Sequence, residues 1–376
     1  MRREGREWSE EEEEEVRRLC ASLVVFGFDS PCREANGHAK RLIAKGSVAT
    51  ILFGRNVESP DQVKSLCSSM KLEALAHGRK LLVMTDQEGG KVARLTSQES
   101  FTDIPSARRI ASCEDRKGAV TRIAKVMAAE LKAVNVDMDL APVLDVDSNP
   151  KNPVIGDRSY SSSSKDVGEL GGAFITSIQE EGVAACAKHF PGHGDTSQDS
   201  HVDIPVIKHS RARLLETEIP PFERAIENDV AAIMVGHLLV PELQSPSEVD
   251  LGIPASMSKF VVDFLKKDLG FRGAVFIDDM EMGAITKNFS LGEAIVRSLK
   301  AGVDMFLVCH SESSQNEAIE AIFRAVKSGE VDPGRFADAV GRVHKLLSYA
   351  SSPTISLSVV GSPAHREIIK SFLQGK

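Results

Sequence analysis

Short runs of β-branched and aromatic residues recur along the chain. They are LVVFGFD (23–29), VATILFG (48–54), KLLVMTD (80–86), VDMDLAPV (136–143), VAACAKHF (183–190), AAIMVGH (231–237), GAVFIDD (273–279) and VDMFLVC (303–309). Between most of them lie stretches with helical patterning: SPDQVKSLCSSMKLEALAHG, AVTRIAKVMAAELKAVN, VGELGGAFITSIQEEG, KFVVDFLKKDLG and GEAIVRSLKAG. Ser59 and Pro60 open the first of these as N-cap and first-turn proline. Gly182, Gly270 and Gly302 mark helix ends, each followed closely by a strand. Strands alternating with helices predict parallel β/α units, and eight is the number that closes a barrel. An open doubly wound sheet is the rival, but no G-x-G-x-x-G follows the first strand. No internal repeat or low-complexity linker divides the chain. The expected fold class is therefore α/β, a (β/α)8 TIM-type barrel forming one catalytic domain over residues 21–350. Residues 1–20 are expected to form an N-terminal acidic helix capped by Ser9, closing helices to begin near Asn316, and 351–376 to form a tail.

Composition narrows the class. The chain has 376 residues, 42% hydrophobic and 27% charged, as a globular protein has. A net charge of −8 and the absence of a dense basic stripe argue against a nucleic-acid partner. Cys20, Cys32, Cys67, Cys113, Cys186 and Cys309 are scattered without a C-x-x-C pair, which reads as reduced thiols rather than disulfides or a zinc site. The N-terminus lacks the apolar core of a secretory signal, and no apolar run reaches bilayer length. A cytoplasmic protein without a membrane partner is expected.

In such a barrel, chemistry gathers at the C-terminal ends of the strands. Strand three runs into Asp86 and QEGGK, and VIGDRS follows strand four. Strand five ends in Lys188-His189, strand six in His237 and strand seven in Asp278-Asp279. Any one of these residues could be an ordinary ion pair; their convergence on one rim is the signal. The segment KHFPGHGDTSQDSH (188–201) poses a choice between a metal site and a proton-transfer loop. His189 and His193 are spaced i, i+4, but Pro191, Gly192 and Gly194 argue against a helix, and strand one ends in FGFDS rather than in paired histidines. No metal and no cofactor are expected. Asp199 and His201, two apart, project to one side of an extended segment, where the carboxylate raises the basicity of the imidazole. With Asp278 fixed at a strand end, a mobile acid/base facing a carboxylate is the minimum apparatus for double-displacement glycoside hydrolysis.

The same segment closely resembles the signature loop of the β-N-acetylhexosaminidases of glycoside hydrolase family 3. DQEGGKVARL (86–95), DLAPVLDV (139–146), VIGDRS (154–159), MVGHLLVPEL (234–243), PASMS (254–258) and FIDDMEMGAI (276–285) match in order. The resemblance runs over roughly residues 20 to 350 and implies the family's barrel. It implies that Asp278 is the nucleophile, and that Asp199 and His201 form a dyad with histidine as general acid/base. Lys188, His189, Arg158 and Asp86 are then the sugar-binding shell. Lys91 stands where bacterial members usually have arginine, and Ile277 where a small polar residue usually precedes the nucleophile. Many relatives that cleave glucosides take their acid/base from a second α/β domain. This chain ends at Lys376, so the acid/base is expected from the D-S-H loop. The segment VVGSPAHREIIKSFLQ resembles the path out of the barrel in longer relatives, so the chain is also readable as part of a larger protein. The implied activity is an exo-acting, retaining β-N-acetylglucosaminidase acting on small carbohydrates with terminal N-acetylglucosamine. A β-glucosidase or glycoside phosphorylase on the same barrel, and a non-catalytic carbohydrate-binding protein, are the alternatives. Gly192 and Gly194 are expected hinges of the dyad loop, and His193 a structural residue of its turn.

Overall fold

A computed structural model describes residues 8–196, 204–350 and 355–374. Eight parallel strands close into a barrel: β1 Val24–Phe26, β2 Ala49–Leu52, β3 Leu82–Thr85, β4 Met138–Asp139, β5 Ala184–Phe190, β6 Ala232–Val235, β7 Ala274–Ile277 and β8 Met305–Val308. Each lies inside one of the expected apolar runs, and every residue in them is buried. The open doubly wound alternative is thereby excluded. The barrel closes where β1 pairs with β8, Val25 opposite Leu307.

Strand starts and strand ends are built differently. At the start of β4 and of β8 the sequence repeats Val-Asp-Met, and both aspartates do the same work. Asp137 Oδ2 accepts the Val83 N–H (3.0 Å) and Asp304 Oδ2 accepts the Val275 N–H (2.9 Å), so each carboxylate satisfies the neighbouring strand's edge amide. Lys71 (2.6 Å) and Lys266 (2.9 Å) neutralise them. These buried charges anchor the bottom of the barrel and leave the top free for chemistry.

The surrounding helices follow the sequence signals. Ser59 accepts the Gln62 N–H ahead of Pro60, and Gly182, Gly270 and Gly302 all take positive φ (82°, 73° and 123°). Ser9 and Glu12 form a reciprocal capping box on the helix Glu10–Ser22. That helix is bound to the one at Glu312–Lys327, with Trp8 edge-on to Phe323 at 6.2 Å and the Arg17 guanidinium 3.7 Å above the same ring. The closing helix thus begins at Glu312, four residues before Asn316. The tail ends in a helix, Pro363–Gln374, that returns to the helix Arg116–Ala133. There the buried Glu130 accepts from the Gly361 N–H (3.0 Å) and His365 Nδ1 (2.8 Å).

Two features depart from the apolar pattern. The run 136–143 yields a strand of only two residues, because Pro142 has no N–H to continue the ladder. Pairing with β5 continues through isolated bonds, Lys188 N–H to Pro142 O (3.1 Å) and Leu144 N–H to Lys188 O (2.7 Å). Beyond β3, residues Gln87–Gly89 and Val92–Ala93 form a small hairpin.

Candidate active site at the C-terminal mouth of the barrel

The hairpin decides what reaches the mouth. The Gln87 side-chain carbonyl accepts the N–H groups of Arg94 and Leu95 (3.0 Å each), and its amide donates to Leu95 O (2.8 Å). Gly89 and Gly90 turn the chain with φ of 91° and 60°. The turn carries Glu88 and Arg94 to the same place as Asp86.

At this point the expected sugar-binding residues converge. Lys188, 3% exposed, sets its Nζ 2.7 Å from Asp86 Oδ1 and 2.7 Å from Glu88 Oε1. Arg158 grips Glu88 with two parallel bonds of 2.8 Å, the planar fork matched to a carboxylate. Arg94 lies 3.2 Å from Asp86 Oδ2, and its Nε is buried without a partner among the described residues. Burial alone would neutralise these groups, but their mutual attraction wins. Lys188 and Arg158 outweigh burial at Glu88 and hold its carboxyl down at about 2. Lys188 and Arg94 likewise hold Asp86 below the usual carboxylate range. The two carboxylates in turn raise the Lys188 ammonium above its ordinary value against the pull of burial. The cluster is ionised throughout the neutral range and presents rigid donors and acceptors, the chemistry that hydroxyl groups of a sugar require. Glu88 and Arg94 were not singled out from the sequence, although Glu88 stands at i+2 from Asp86 and Arg94 lies inside the DQEGGKVARL match.

The β5 end continues with His189, whose Nδ1 donates to Asp145 Oδ2 (2.7 Å). The buried Asp145 also accepts the His193 N–H on Oδ1 (2.6 Å), so one carboxylate fixes the His189 tautomer and the turn after it. Burial pushes the His193 imidazole down to about 4, so it is neutral; its Nδ1 faces Thr196 Oγ1 at 2.8 Å. The two rings meet edge to face at 5.9 Å with their Nδ1 atoms turned to different oxygens. Among the described residues no group of three or more His, Cys, Asp or Glu side chains is arranged to hold a metal. His193 does more than shape the turn, since it lines the cavity with His189.

Asp278 follows β7 directly. Its Oδ1 accepts the Asp279 N–H at 2.8 Å. Burial raises its pKa, but His189, His237 and that N–H together outweigh burial and leave it below the usual range. Burial lowers the His237 pKa from its ordinary value; its Nε2 donates to Asp279 O (3.1 Å) and its Nδ1 faces Ser256 Oγ (2.8 Å). Asp86, Glu88, Arg158, Lys188, His189 and Asp278 share one cavity of about 230 Å³, with Phe53, Met234 and Met282 among its apolar walls. Asp199 and His201 lie outside the described residues. Lys91 is exposed at the rim, 3.4 Å from Asp157, and Ile277 is buried in β7.

Residues 13–346 match the model of the glycosyl hydrolase family 3 N-terminal domain. The chain belongs to glycosyl hydrolase family 3. It is therefore a glycoside hydrolase, and its barrel is the barrel of that family. A protein called beta-hexosaminidase from Nitrosomonas eutropha is 34% identical over 304 residues, 79% of this chain and 84% of its own. Another, from Idiomarina loihiensis, is 32% identical over 340 residues, covering 89% of this chain and 95% of its own. Among solved structures, the family 3 β-N-acetylglucosaminidase from Paenibacillus sp. str. FPU-7 superimposes with a TM-score of 0.88 at 34% identity. The match covers 95% of this chain and 68% of that one. As a family 3 hydrolase, the protein acts on carbohydrate. No helix among its described residues is long and apolar enough to cross a membrane.

Proposed function

We propose that the protein is an exo-acting, retaining β-N-acetylglucosaminidase that uses Asp278 as nucleophile and the Asp199–His201 dyad as general acid/base, without a metal. The observation that carries this reading is Asp278: an ionised carboxylate with one oxygen held by the Asp279 N–H, in the same cavity as the Lys188–Asp86–Glu88–Arg158 cluster. A cavity of about 230 Å³ suits one terminal sugar rather than a chain running through, which supports exo action. The name borne by the Paenibacillus structure supports N-acetylglucosamine as that sugar.

In the first step an Asp278 oxygen forms a bond to the anomeric carbon as the glycosidic bond breaks, and the departing oxygen takes the proton of His201. In the second, His201 removes a proton from water, whose oxygen attacks the same carbon and returns Asp278 as a carboxylate. Two displacements retain the β configuration. The cluster supplies hydrogen bonds to the ring hydroxyls, and Asp199 fixes the His201 tautomer. Residues 21–350 would be the catalytic unit, and the site of action the cytoplasm.

The test is a panel of aryl glycosides with the released sugar followed by proton NMR. Hydrolysis of the β-N-acetylglucosaminide, with the β anomer appearing before mutarotation, is the expected result. Release of the α anomer first, or preference for the glucoside, would overturn the proposal. Added phosphate should leave the product unchanged, since a sugar 1-phosphate would identify a phosphorylase.

A further inference from the structure

The residue after the nucleophile is held at every polar atom. The Asp279 N–H donates to Asp278 Oδ1 (2.8 Å), and its carbonyl accepts from His237 Nε2 (3.1 Å). Its carboxylate accepts the Glu281 N–H (3.1 Å) and the Cys309 N–H (3.3 Å) on Oδ1, and meets His310 Nε2 at 3.2 Å on Oδ2. Asp279 therefore ties the end of β7 to the end of β8. Among the described residues His310 is the one basic side chain paired with that carboxylate.

His310 is placed for this role and for little else. Its side chain is 54% exposed, so its removal costs little packing, yet it lines the cavity. The ring lies against Phe53 at 5.7 Å between centroids, inclined by 30°. Among the described residues the other charged groups facing it are Glu281, which accepts the His310 backbone N–H (2.7 Å), and Arg55. The Arg55 guanidinium is 4.5 Å from the Phe53 centroid and donates to Cys309 O (2.7 Å).

We propose that His310 is a positioning residue of the hydrolytic reaction: through Asp279 it holds the amide that orients Asp278, and its positive charge offsets the carboxylate beside the nucleophile. The physical need is plain. Two adjacent carboxylates at a partly closed site repel, and an unscreened Asp279 would raise the pKa of Asp278 and loosen the N–H that aims it. The hydrogen bond to Asp279 raises the His310 pKa above its ordinary value, with burial and Arg55 opposing, so the ring keeps its charge further into the neutral range.

This inference rests on Asp278 being the nucleophile, so the experiment separates the two. The rate of 4-nitrophenyl N-acetyl-β-glucosaminide hydrolysis is measured against pH for wild type, His310→Ala, His310→Gln and His310→Arg. Expected for His310→Ala is a fall of about tenfold in kcat with KM nearly constant, as misaimed attack gives. Its acidic limb in kcat/KM should rise by about half a unit to one unit, from the uncompensated Asp279 charge. His310→Gln, which keeps a donor but no charge, should recover part of kcat and leave the limb raised. His310→Arg should return the limb towards wild type. An acidic limb unmoved in both neutral variants, with kcat as in wild type, overturns the inference alone. Asp278→Ala run in parallel with azide tests what lies beneath it. Loss of turnover with formation of the α-glycosyl azide secures the nucleophile, whereas turnover surviving in Asp278→Ala overturns both readings.

Discussion

As the proposed nucleophile, Asp278 needs to stay ionised in a buried place and to point at one atom, and separate neighbours meet the two needs. His189 and His237 favour its charge, while the Asp279 amide sets its direction. Asp278→Ala should lose nearly all turnover. Asp278→Glu should be almost as impaired, because a displacement of about one methylene spoils in-line attack. Steady-state assays of both variants check this, and substantial activity in the alanine variant would remove Asp278 from its role. His201→Ala tests the other half of the chemistry. General-acid help is worth about 10²–10⁴-fold and matters most when the leaving group is poor. Single-turnover glycosylation should therefore slow far more on a natural disaccharide than on a nitrophenyl glycoside. Equal slowing on both would make His201 a substrate-positioning residue. A third residue-scale outcome concerns Glu88, whose folded pKa of about 2 lies below its ordinary 4.5. The sign follows from that depression: the ionised Glu88 stabilises the fold fully above its unfolded pKa, and the contribution fades as pH falls through the folded one. Glu88→Gln should be clearly less stable than wild type at neutral pH. The gap, read by urea denaturation, should close between pH 4.5 and 2.

At the scale of elements, the most constrained turn is the one leaving β5 towards the proposed dyad. A Cβ on Gly194 would stand 1.7 Å from Val146 O, a backbone atom that cannot give way. Gly194 is therefore held by close packing, not only free to act as the hinge expected of it. Gly194→Ala should displace the turn and lose activity together with melting temperature, whereas Gly329→Ala meets open space, though its φ of 76° strains any side chain. Comparing kcat/KM with stability in the two separates loss of the turn from general backbone strain. Much of the architecture was legible because each barrel strand is a short, uninterrupted apolar run of a kind that little else produces. The ends of those runs pointed to Asp86, Lys188, His189 and Asp278 by the same logic. The hairpin at 87–93 was not legible, since QEGGKVA has neither apolar alternation nor length. Nor were the Glu88–Arg158 and Asp279–His310 pairs, whose partners stand far apart in sequence and meet only when the barrel closes. Lys188 could be placed at a strand end, but not its simultaneous contact with two carboxylates.

Closure is also where the whole molecule bears on the site. Gly27, just past β1, donates its N–H to Val308 O (3.3 Å), and Gln315 Nε2 bridges Gly27 O (2.8 Å) and Val308 O (2.9 Å). A Cβ at Gly27 would lie 2.1 Å from Cys309 O, so only glycine lets the first and last strands meet. On the far side of that seam the Cys309 N–H holds Asp279, and His310 follows directly. Strain at the seam therefore has a short path, through the Cys309–Asp279 hydrogen bond, to Asp278, the proposed nucleophile. Gly27→Ala should destabilise by about 1–3 kcal/mol, the usual cost of overpacking, and should also lower kcat/KM well below the melting temperature. Ser9→Ala is the matched control: losing the cap of the first helix costs about 1 kcal/mol, and the Ser9 side chain accepts the Glu12 N–H while the Ser9 N–H donates to Glu12 Oε2. Denaturation midpoints and kcat/KM measured together on both variants give the outcome. Activity lost in Gly27→Ala but kept in Ser9→Ala ties barrel closure to the reaction. Wild-type kcat/KM in both would show that the seam supports the fold alone.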